Sequence, residues 1–275
     1  MTTRNKLLFA VCAALLLATA CDVKDPIYNT PHPDKGAIVV SADWSHREEN
    51  AAIPTKYIVE AAGAKVALQK QKDALPGVFA PGEAVLLGYN IPEGVTIDNG
   101  VGTMKPDSGI LFSGTATATV VADDTTQVTI AMLQRMREVV FTLTVREGDP
   151  ERITSAVFRL SGVSLSVNLA TGEVTGPVTN VSVPLVRTGN KLEAFFHIAG
   201  ILPDVRQELS VDLTFSDQIE KTERWDATEI LKNFNADMLT PARVNAEMDV
   251  PLRVDMGGSI IDWDVDHSDD VDANM

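Results

Sequence analysis

The segment Leu209-Ser-Val-Asp-Leu-Thr-Phe-Ser216 decides the fold class, because every second residue in it is apolar. A two-residue repeat places the apolar side chains on one face of a β-strand and the polar ones on the other. A strand with one buried and one solvated face is typical of antiparallel sheets that pack on a core. The segment therefore predicts a half-buried strand.

The same alternation recurs along most of the chain. Its apolar members are Ile38, Val40, Ala42 and Trp44; Val85, Leu87 and Tyr89; Val128, Ile130 and Met132; Val139, Phe141, Leu143 and Val145; Val163, Leu165, Val167 and Leu169; and Val244, Ala246, Met248, Val250, Leu252 and Val254. Turn signals such as Asn99-Gly100 separate the runs. Short alternating strands between Gly/Pro turns predict an all-β chain of antiparallel β-sandwiches.

Two tandem sandwich domains are expected, because 275 residues are enough for two ordinary cores. We place the first over residues 36–134 and the second over residues 135–275, which includes an acidic tail. One short helix is expected in the second domain, where Asp226 and Glu229 have capping-box spacing and Pro241 ends the pattern. Its apolar stripe is Ala227, Ile230, Leu231, Phe234 and Met238.

The first 20 residues predict a secretory signal peptide. Arg4 and Lys6 precede an apolar run over residues 7–18, which is followed by small residues and then Cys21. Leu17-Ala-Thr-Ala-Cys21 resembles the bacterial lipobox, which implies lipid attachment at Cys21; the alternative is simple cleavage beside an unmodified cysteine. Residues 21–35 hold three prolines and are expected to form a semi-extended lipidated tether.

The composition limits the classes of partner. The chain has 23 Lys and Arg against 38 Asp and Glu, a formal charge of −15. A surface this acidic repels nucleic acid and anionic membranes, so we expect no nucleic-acid partner and membrane contact only through acyl chains. Cys12 would leave with the signal peptide and Cys21 would carry lipid, so no cysteine remains for a disulfide or a thiolate metal site.

Motifs for catalysis are missing from the sequence. It contains no HExxH, GxSxG, phosphate-binding loop or dinucleotide-binding glycine motif. His197 lies out of phase with its apolar neighbours and is expected on a solvated face. A carboxylate pair for glycosidase chemistry stays open, because its spacing depends on the fold. Trp44 and Trp263 fall in phase with core residues, so packing is expected of both. We expect no enzyme and no cofactor.

The acidic tail partly imitates a calcium loop. Six aspartates lie between Asp262 and Asp272, but His267 stands where the sharp turn needs glycine and Ala273 where a bidentate Glu belongs. The pattern therefore predicts a hydrated acidic end and no metal site, with a weak cation site as the alternative.

The order of these parts resembles the fimbrillin-type outer-membrane lipoproteins, which include anchor and accessory subunits of type V pili. The resemblance rests on Cys21 with its tether, on residues 32–45 around Trp44, on residues 137–163, and on Gly258-Ser-Ile-Ile-Asp-Trp263. It implies two transthyretin-like sandwiches that dock by strand exchange, in which a strand from another subunit completes an open sheet. It also implies a lipid-anchored location in the outer membrane and fimbrial subunits as partners; it leaves open whether the protein faces the periplasm or the cell surface.

The resemblance implies two further details. Shaft subunits of the family are cut after an early basic residue, whereas here only Lys24 and Lys35 precede the first strand, and the first Arg is Arg47. This pattern fits an uncut anchor, although a lysine-directed protease would reverse the inference. Asp124-Thr-Thr126 looks like an O-glycosylation acceptor with Thr125 as the modified residue; an ordinary turn is the alternative.

Two functions compete at this stage. The first is a non-enzymatic anchor or accessory subunit of a fimbria, and the second is a surface lipoprotein that binds glycan or host protein with the same fold. A vacant strand position with an apolar floor would favour the first. An exposed Trp or Tyr cluster would favour the second.

Overall fold

The computed structural model describes residues 34–250 and the backbone of residues 260–264. The described part is built almost entirely of β-strands, as the alternation predicts. Five sheets are formed, and the strands that make them up are named in chain order below.

The first sandwich packs a three-stranded sheet on a five-stranded one. The smaller sheet has the order β4 (Lys72–Ala74), β1 (Ala37–Asp43), β9 (Thr125–Ala131). The larger sheet has the order β10 (Leu133–Gln134), β8 (Phe112–Val120), β5 (Gly82–Tyr89), β2 (Tyr57–Ala61), β3 (Ala64–Leu68). Ile38 and Val40 of β1 meet Leu86 and Phe112 in the core between these sheets.

The second sandwich packs two larger sheets on one core. The first has the order β16 (Val186–Thr188), β17 (Lys191–Ile198), β11 (Arg137–Glu147), β21 (Ala242–Asp249), β22 (Ile260–Asp264). The second has the order β15 (Thr179–Pro184), β12 (Ile153–Ser164), β19 (Glu208–Phe215), β20 (Glu220–Asp226), and β18 (Gly200–Ile201) pairs with the end of β12. Phe141, Phe158 and Phe196 lie at the centre of this core.

A fifth sheet joins the two halves of the chain. We call it the bridging sheet, and its order is β14 (Val174–Thr175), β13 (Ser166–Asn168), β7 (Val101–Met104), β6 (Val95–Asp98). β6 and β7 come from the first half and β13 and β14 from the second. Its apolar residues pack on Tyr89, Leu111 and Met136. The division at residue 134 stays a prediction.

Two pairings correct the expectation of purely antiparallel sheets. β1 runs parallel to β9, and β11 runs parallel to β21. In each half, therefore, the first strand pairs with a strand from the far end of the same half. Alternation specifies which face of a strand is buried but not the direction of its neighbour, so the parallel pairing could not be predicted from the sequence pattern.

Two predicted segments differ in detail. The run Val163–Leu169 is not one strand: β12 ends at Ser164, and β13 enters the bridging sheet at Ser166. The expected helix shortens to α1 (Thr228–Leu231) and a single 3-10 turn over Phe234–Ala236. The side chain of Asn235 explains the break, because it exchanges two hydrogen bonds with the backbone of Ile201, of 2.9 and 2.8 Å.

Two hairpins share one turn geometry with different residues. β6 and β7 are joined by Asn99-Gly100, and β2 and β3 by Ala62-Gly63, all four with positive φ. Asn tolerates the left-handed region better than Ala does. We expect Ala62→Asn to raise the free energy of unfolding by about 0.5–1 kcal/mol. Asn99→Ala should lower the free energy of unfolding by a similar amount. Urea denaturation of both variants measures these changes, and equal or reversed changes would contradict the prediction.

Candidate docking site

β4 is an edge strand of only three residues, paired with β1 on one side. The ladder to β1 uses the backbone of Gln71, Asp73 and Leu75, as shown by Leu75 N–H donating to Ile38 O (2.9 Å) and Ala42 N–H to Gln71 O (2.8 Å). In an antiparallel strand the intervening residues point their N–H and C=O groups the other way. The backbone groups of Lys72 and Ala74 therefore face the free edge.

One of these edge groups is already occupied. Asp73 Oδ1 accepts a hydrogen bond from the N–H of Ala74 at 2.9 Å. Within the described residues, the N–H and C=O of Lys72 and the C=O of Ala74 have no backbone partner. Unpaired edge groups are the features that another strand recognises, and a local side-chain bond is one way to protect them.

A cleft of about 670 Å³ is lined by β1, by β4 and by the residues on either side of β4. Its apolar lining includes Ala37 and Val39 of β1 and the turn residues Leu75 and Pro76. Lys70 and Lys72 supply positive charge, while Asp73 is the acidic residue of the lining. The lining thus combines apolar residues of β1 with two lysines, and Lys72 reaches across β1 to donate to Gln127 Oε1 of β9 at 2.6 Å, in a chain of strongly negative net charge.

The crossover from β3 to β4 is held in place by Tyr57. Its hydroxyl donates to Lys70 O at 3.1 Å. Burial, aided by the nearby charge of Asp73, raises the pKa of Tyr57 to about 12, so the hydroxyl stays a neutral donor at ordinary pH. The hydrogen bond from Tyr57 to Lys70 O is therefore independent of pH near neutrality.

Two longer edge strands with described side chains carry protective features. β20 carries Lys221 and Glu223, which form an ion pair of 2.7 Å, and it also carries Arg224, which bonds Glu208 at 3.0 Å. β15 ends in Pro184, which cannot donate to a ladder. Charges and proline on edges are common devices against unwanted pairing. A second cleft, of about 730 Å³, reaches the end of β20 at Asp226, and its charged lining includes Asp204, Arg206 and Glu229.

The aromatic residues do not form a sugar-binding platform in the part of the chain whose side chains are described. Trp44, Tyr57 and Tyr89 are buried and Trp225 is half-buried. Trp44 packs edge-on against Tyr57 (5.7 Å) and Phe112 (5.5 Å), which confirms the packing expected of it. The side chain of Trp263 lies outside the described residues.

The predicted modification sites fall in different places. Cys21 lies outside the described residues. Thr125 begins β9 opposite Ala37, and its hydroxyl is buried without a hydrogen-bond partner in the described part of the chain. A glycan at Thr125 would have to be attached before β9 docks, or after local opening. Glycosylation at Thr125 stays a prediction.

The acidic tail and the possible metal-binding side chains do not contribute to the candidate docking site in the described part of the chain. β22 pairs with β21, so residues 260–264 are a strand, and the acidic residues after Asp264 lie outside the described residues. No group of three or more His, Cys, Asp and Glu side chains could hold a metal ion within the described ranges. Over the same residues, no helix is long and apolar enough to cross a bilayer.

His197 departs from its expected solvated position. It lies where the two halves meet: its backbone N–H donates to Pro106 O (2.8 Å), and its ring Nε2 is buried with no partner among the described residues. Its burial could not be predicted from strand phase, because Pro106 of the first half covers this part of the outer face. Burial lowers the pKa of His197 below 6.5, with Glu48 and Glu138 partly opposing the shift.

We expect this histidine to make stability depend on pH. Because the folded protein holds the ring neutral, its contribution is complete above about pH 6.5 and is lost as the pH falls from 6.5 towards the lower folded pKa. Urea unfolding should show that the free energy of unfolding of the wild-type protein is lower at pH 5.5 than at pH 7.5. In the His197→Gln variant this decrease should be smaller. An identical loss in both proteins would contradict this assignment.

Comparisons with known proteins agree on the fold. No protein-family model and no curated protein matches the sequence. Among solved structures, the fimbrial anchor protein Mfa2 from Porphyromonas gingivalis is 14% identical, with a TM-score of 0.55 over 84% of this chain and 97% of that one. A candidate adhesin from Bacteroides ovatus has 9% identity and a TM-score of 0.60 over 84% and 92%. Another candidate adhesin from that species has 15% identity and a TM-score of 0.57 over 85% and 95%.

These neighbours support one conclusion about class. At such identities the similarity is one of fold, and it covers nearly the full length of each neighbour. The chain is an all-β protein of sandwich domains, and its structural neighbours agree with the resemblance to fimbrillin-type proteins.

Proposed function

We propose that the protein is a lipid-anchored, non-enzymatic surface protein that docks a fimbrial subunit by strand pairing. The observation that carries the proposal is the free edge of β4 beside an apolar cleft. Backbone ladder bonds would supply affinity, and alternate side chains would supply register. The shared fold with a fimbrial anchor protein supports the same role.

The N-terminal sequence supports a lipid-anchored location in the outer membrane. Acyl chains on Cys21 would hold the mature protein in the outer membrane, each buried methylene contributing about 0.8 kcal/mol. The acidic body would stand away from anionic lipid, so the tether of residues 22–35 would set its reach. A sandwich held outside the membrane in this way is accessible to subunits that assemble there.

A second candidate is a surface module that binds glycan or host protein. Two structural neighbours are candidate adhesins, which is the observation that favours it. The buried positions of Trp44, Tyr57 and Tyr89 weigh against glycan binding by stacking in the described part of the chain. An adhesin that recognises protein remains compatible with the same free edge.

Deletion of the gene in the native bacterium separates the two. If the protein anchors a fimbria, fimbrial subunits should move from the cell fraction to the medium, and expression of the wild-type chain should restore them to the cells. Quantitative blotting of both fractions measures this. Unchanged retention together with lost adhesion to host material would contradict anchoring and support the second function.

A further inference from the structure

The predicted tether joins the described part of the chain at the amino end of β1. Residues 21–35 would connect this strand to the lipid, so a pull between a docked partner and the membrane passes through β1. The carboxyl end of β1 lies beside the second half, because Met132 N–H donates to Asp43 O at 2.8 Å. Just beyond it, Gln134 N–H donates to His46 O at 3.2 Å. A pull between the tether and the second half is therefore directed along the axis of β1.

One side of β1 is held by a parallel ladder. Seven consecutive residue pairs join β1 to β9, beginning with Ala37 and Thr125. Ala37 N–H also donates to Asp124 O at 2.9 Å. Because the strands are parallel, the amino end of β1 and the carboxyl end of β9, which continues into the second half, lie at opposite ends of this ladder. Tension along the chain makes the two strands slide past each other, and sliding loads all the ladder bonds together instead of one after another.

The other side of β1 is bonded as well. β4 pairs with it over three residue pairs, and Leu75 N–H adds a bond to Ile38 O at 2.9 Å. Gly36, where the tether ends, exchanges two hydrogen bonds with Phe79, of 3.0 and 2.8 Å. The side chains of Ile38 and Val40 are fully buried in the first core, so sliding would also drag them past their neighbours. β1 can therefore leave the sheet only when two ladders and the core contacts yield together.

We propose a second function for β1, that of a force-bearing clamp which holds the folded body on its lipid anchor against the pull of a docked partner. The inference rests on the proposed function for the source of the load, and it adds how the fold carries that load. The second half repeats the arrangement, because β11 pairs in parallel with β21 over eight residue pairs and with β17 over eight more. Since β11 has the longer ladders, we expect β1 to yield before β11.

Force spectroscopy on single full-length molecules in detergent tests the clamp. Azidophenylalanine at Lys24 in the tether supplies one handle, and azidophenylalanine at Thr188 supplies the other. Thr188 is exposed, and its ladder partners lie at the carboxyl end of β11, so these handles draw β1 along its axis. In the control the second handle replaces the exposed Val121, whose C=O packs against Gly36 at the amino end of β1. Pulling there opens the β1–β9 ladder from Ala37 onwards, one pair at a time.

We expect the rupture force between Lys24 and Thr188 to be severalfold higher than that between Lys24 and Val121. Forced unfolding is governed by the rate of crossing the unfolding barrier, and that barrier is higher when many bonds have to break in one step. Equal rupture forces in the two geometries, or a lower force for Thr188, would overturn the proposal.

Cross-links identify the strand that yields, in a chain whose two native cysteines are replaced with serine. The S41C/T129C disulfide would join a residue pair of β1 and β9, so it should raise the rupture force between Lys24 and the distal handle, and a reductant should reverse the increase. The matched T142C/N245C disulfide would join a residue pair of β11 and β21 and should leave the force unchanged. An unchanged force in oxidised S41C/T129C would mean that β1 is not the clamp.

These measurements need no partner, so they fail separately from the proposed function. If deletion of the gene leaves fimbrial subunits on the cells while the two pulling geometries differ as expected, anchoring of fimbriae fails and the mechanical strength of β1 stands. If deletion releases the subunits but both geometries rupture at the same force, anchoring stands and the clamp is refuted.

Discussion

Replacing Cys21 with alanine is expected to abolish incorporation of labelled palmitate and to release the protein from membranes. Cys21 follows the lipobox-like residues Leu17-Ala-Thr-Ala20, and it is the only cysteine that would remain after removal of the signal peptide. A single acyl chain gives marginal membrane binding, whereas several chains together hold firmly, so the change should be close to complete. Growth with labelled palmitate, followed by fractionation, measures both effects.

Cys12 provides a matched control for this experiment. It lies within the predicted signal peptide, so Cys12→Ala should leave the label and the membrane location unchanged. Label that persists in the Cys21→Ala protein would show that the acyl chains are attached elsewhere. A fully soluble wild-type protein with a free thiol on Cys21 would contradict the lipid anchor itself.

Phe158→Ala is expected to destabilise the second sandwich by about 3–5 kcal/mol. Phe158 is fully buried on β12, and its ring centroid lies 4.5 Å from that of Phe141 and 5.4 Å from that of Phe196. Truncation removes the apolar contacts of a whole ring and leaves a cavity that strands from two sheets cannot readily fill. Thermal and urea unfolding of the variant measure the loss.

Phe195 supplies the control from the same sandwich. It lies on β17 next to Phe196 in sequence, but its side chain is 60% exposed. Phe195→Ala removes the same atoms without opening a core cavity, so the free energy of unfolding should change by less than about 1 kcal/mol. Comparable losses in the two variants would mean that the assignment of the buried face of β17 is wrong.

Alternation in the sequence predicted most of the sandwich strands, because most of them have one buried face. In β5 the phase was wrong for the first core, because Leu86 is buried there while Val85 is 66% exposed. Val211, Leu213 and Phe215 lie in the second core, as the phase of that segment requires. Ile38 and Val40 do the same in the first core. Burial imposes this pattern residue by residue, so a local reading of the sequence recovers it.

Features that depend on distant residues were not predictable in this way. The parallel pairing of β1 with β9 joins segments more than eighty residues apart, and nothing within either segment specifies its partner's direction. The break at Leu165 arises because β13 pairs with β7 from the other half of the chain. The helix ended early because Asn235 bonds the backbone of Ile201, a contact that helix spacing does not reveal.

The docking site was missed for the same reason. Lys72–Ala74 is too short for its alternation to be recognised. A strand can be assigned to the edge of a sheet only when its neighbours in the sheet are known. The available signal was the pair Lys70 and Lys72, followed after Asp73 and Ala74 by Leu75-Pro76-Gly77, which places two cations close to an apolar turn in an acidic chain. That signal marks the cleft once the fold brings β1 alongside it.

The composition of the complex that the protein forms in its own membrane tests the central claim most directly. Outer membranes should be cross-linked, solubilised gently, and the chain captured through an affinity tag placed in the exposed turn at Gly189. We predict that β-sandwich fimbrial subunits are captured together with the chain in a fixed ratio. We also predict that the cross-links connect these subunits to the sandwich domains of the chain. Capture of the chain alone, from membranes that carry assembled fimbriae, would contradict the claim.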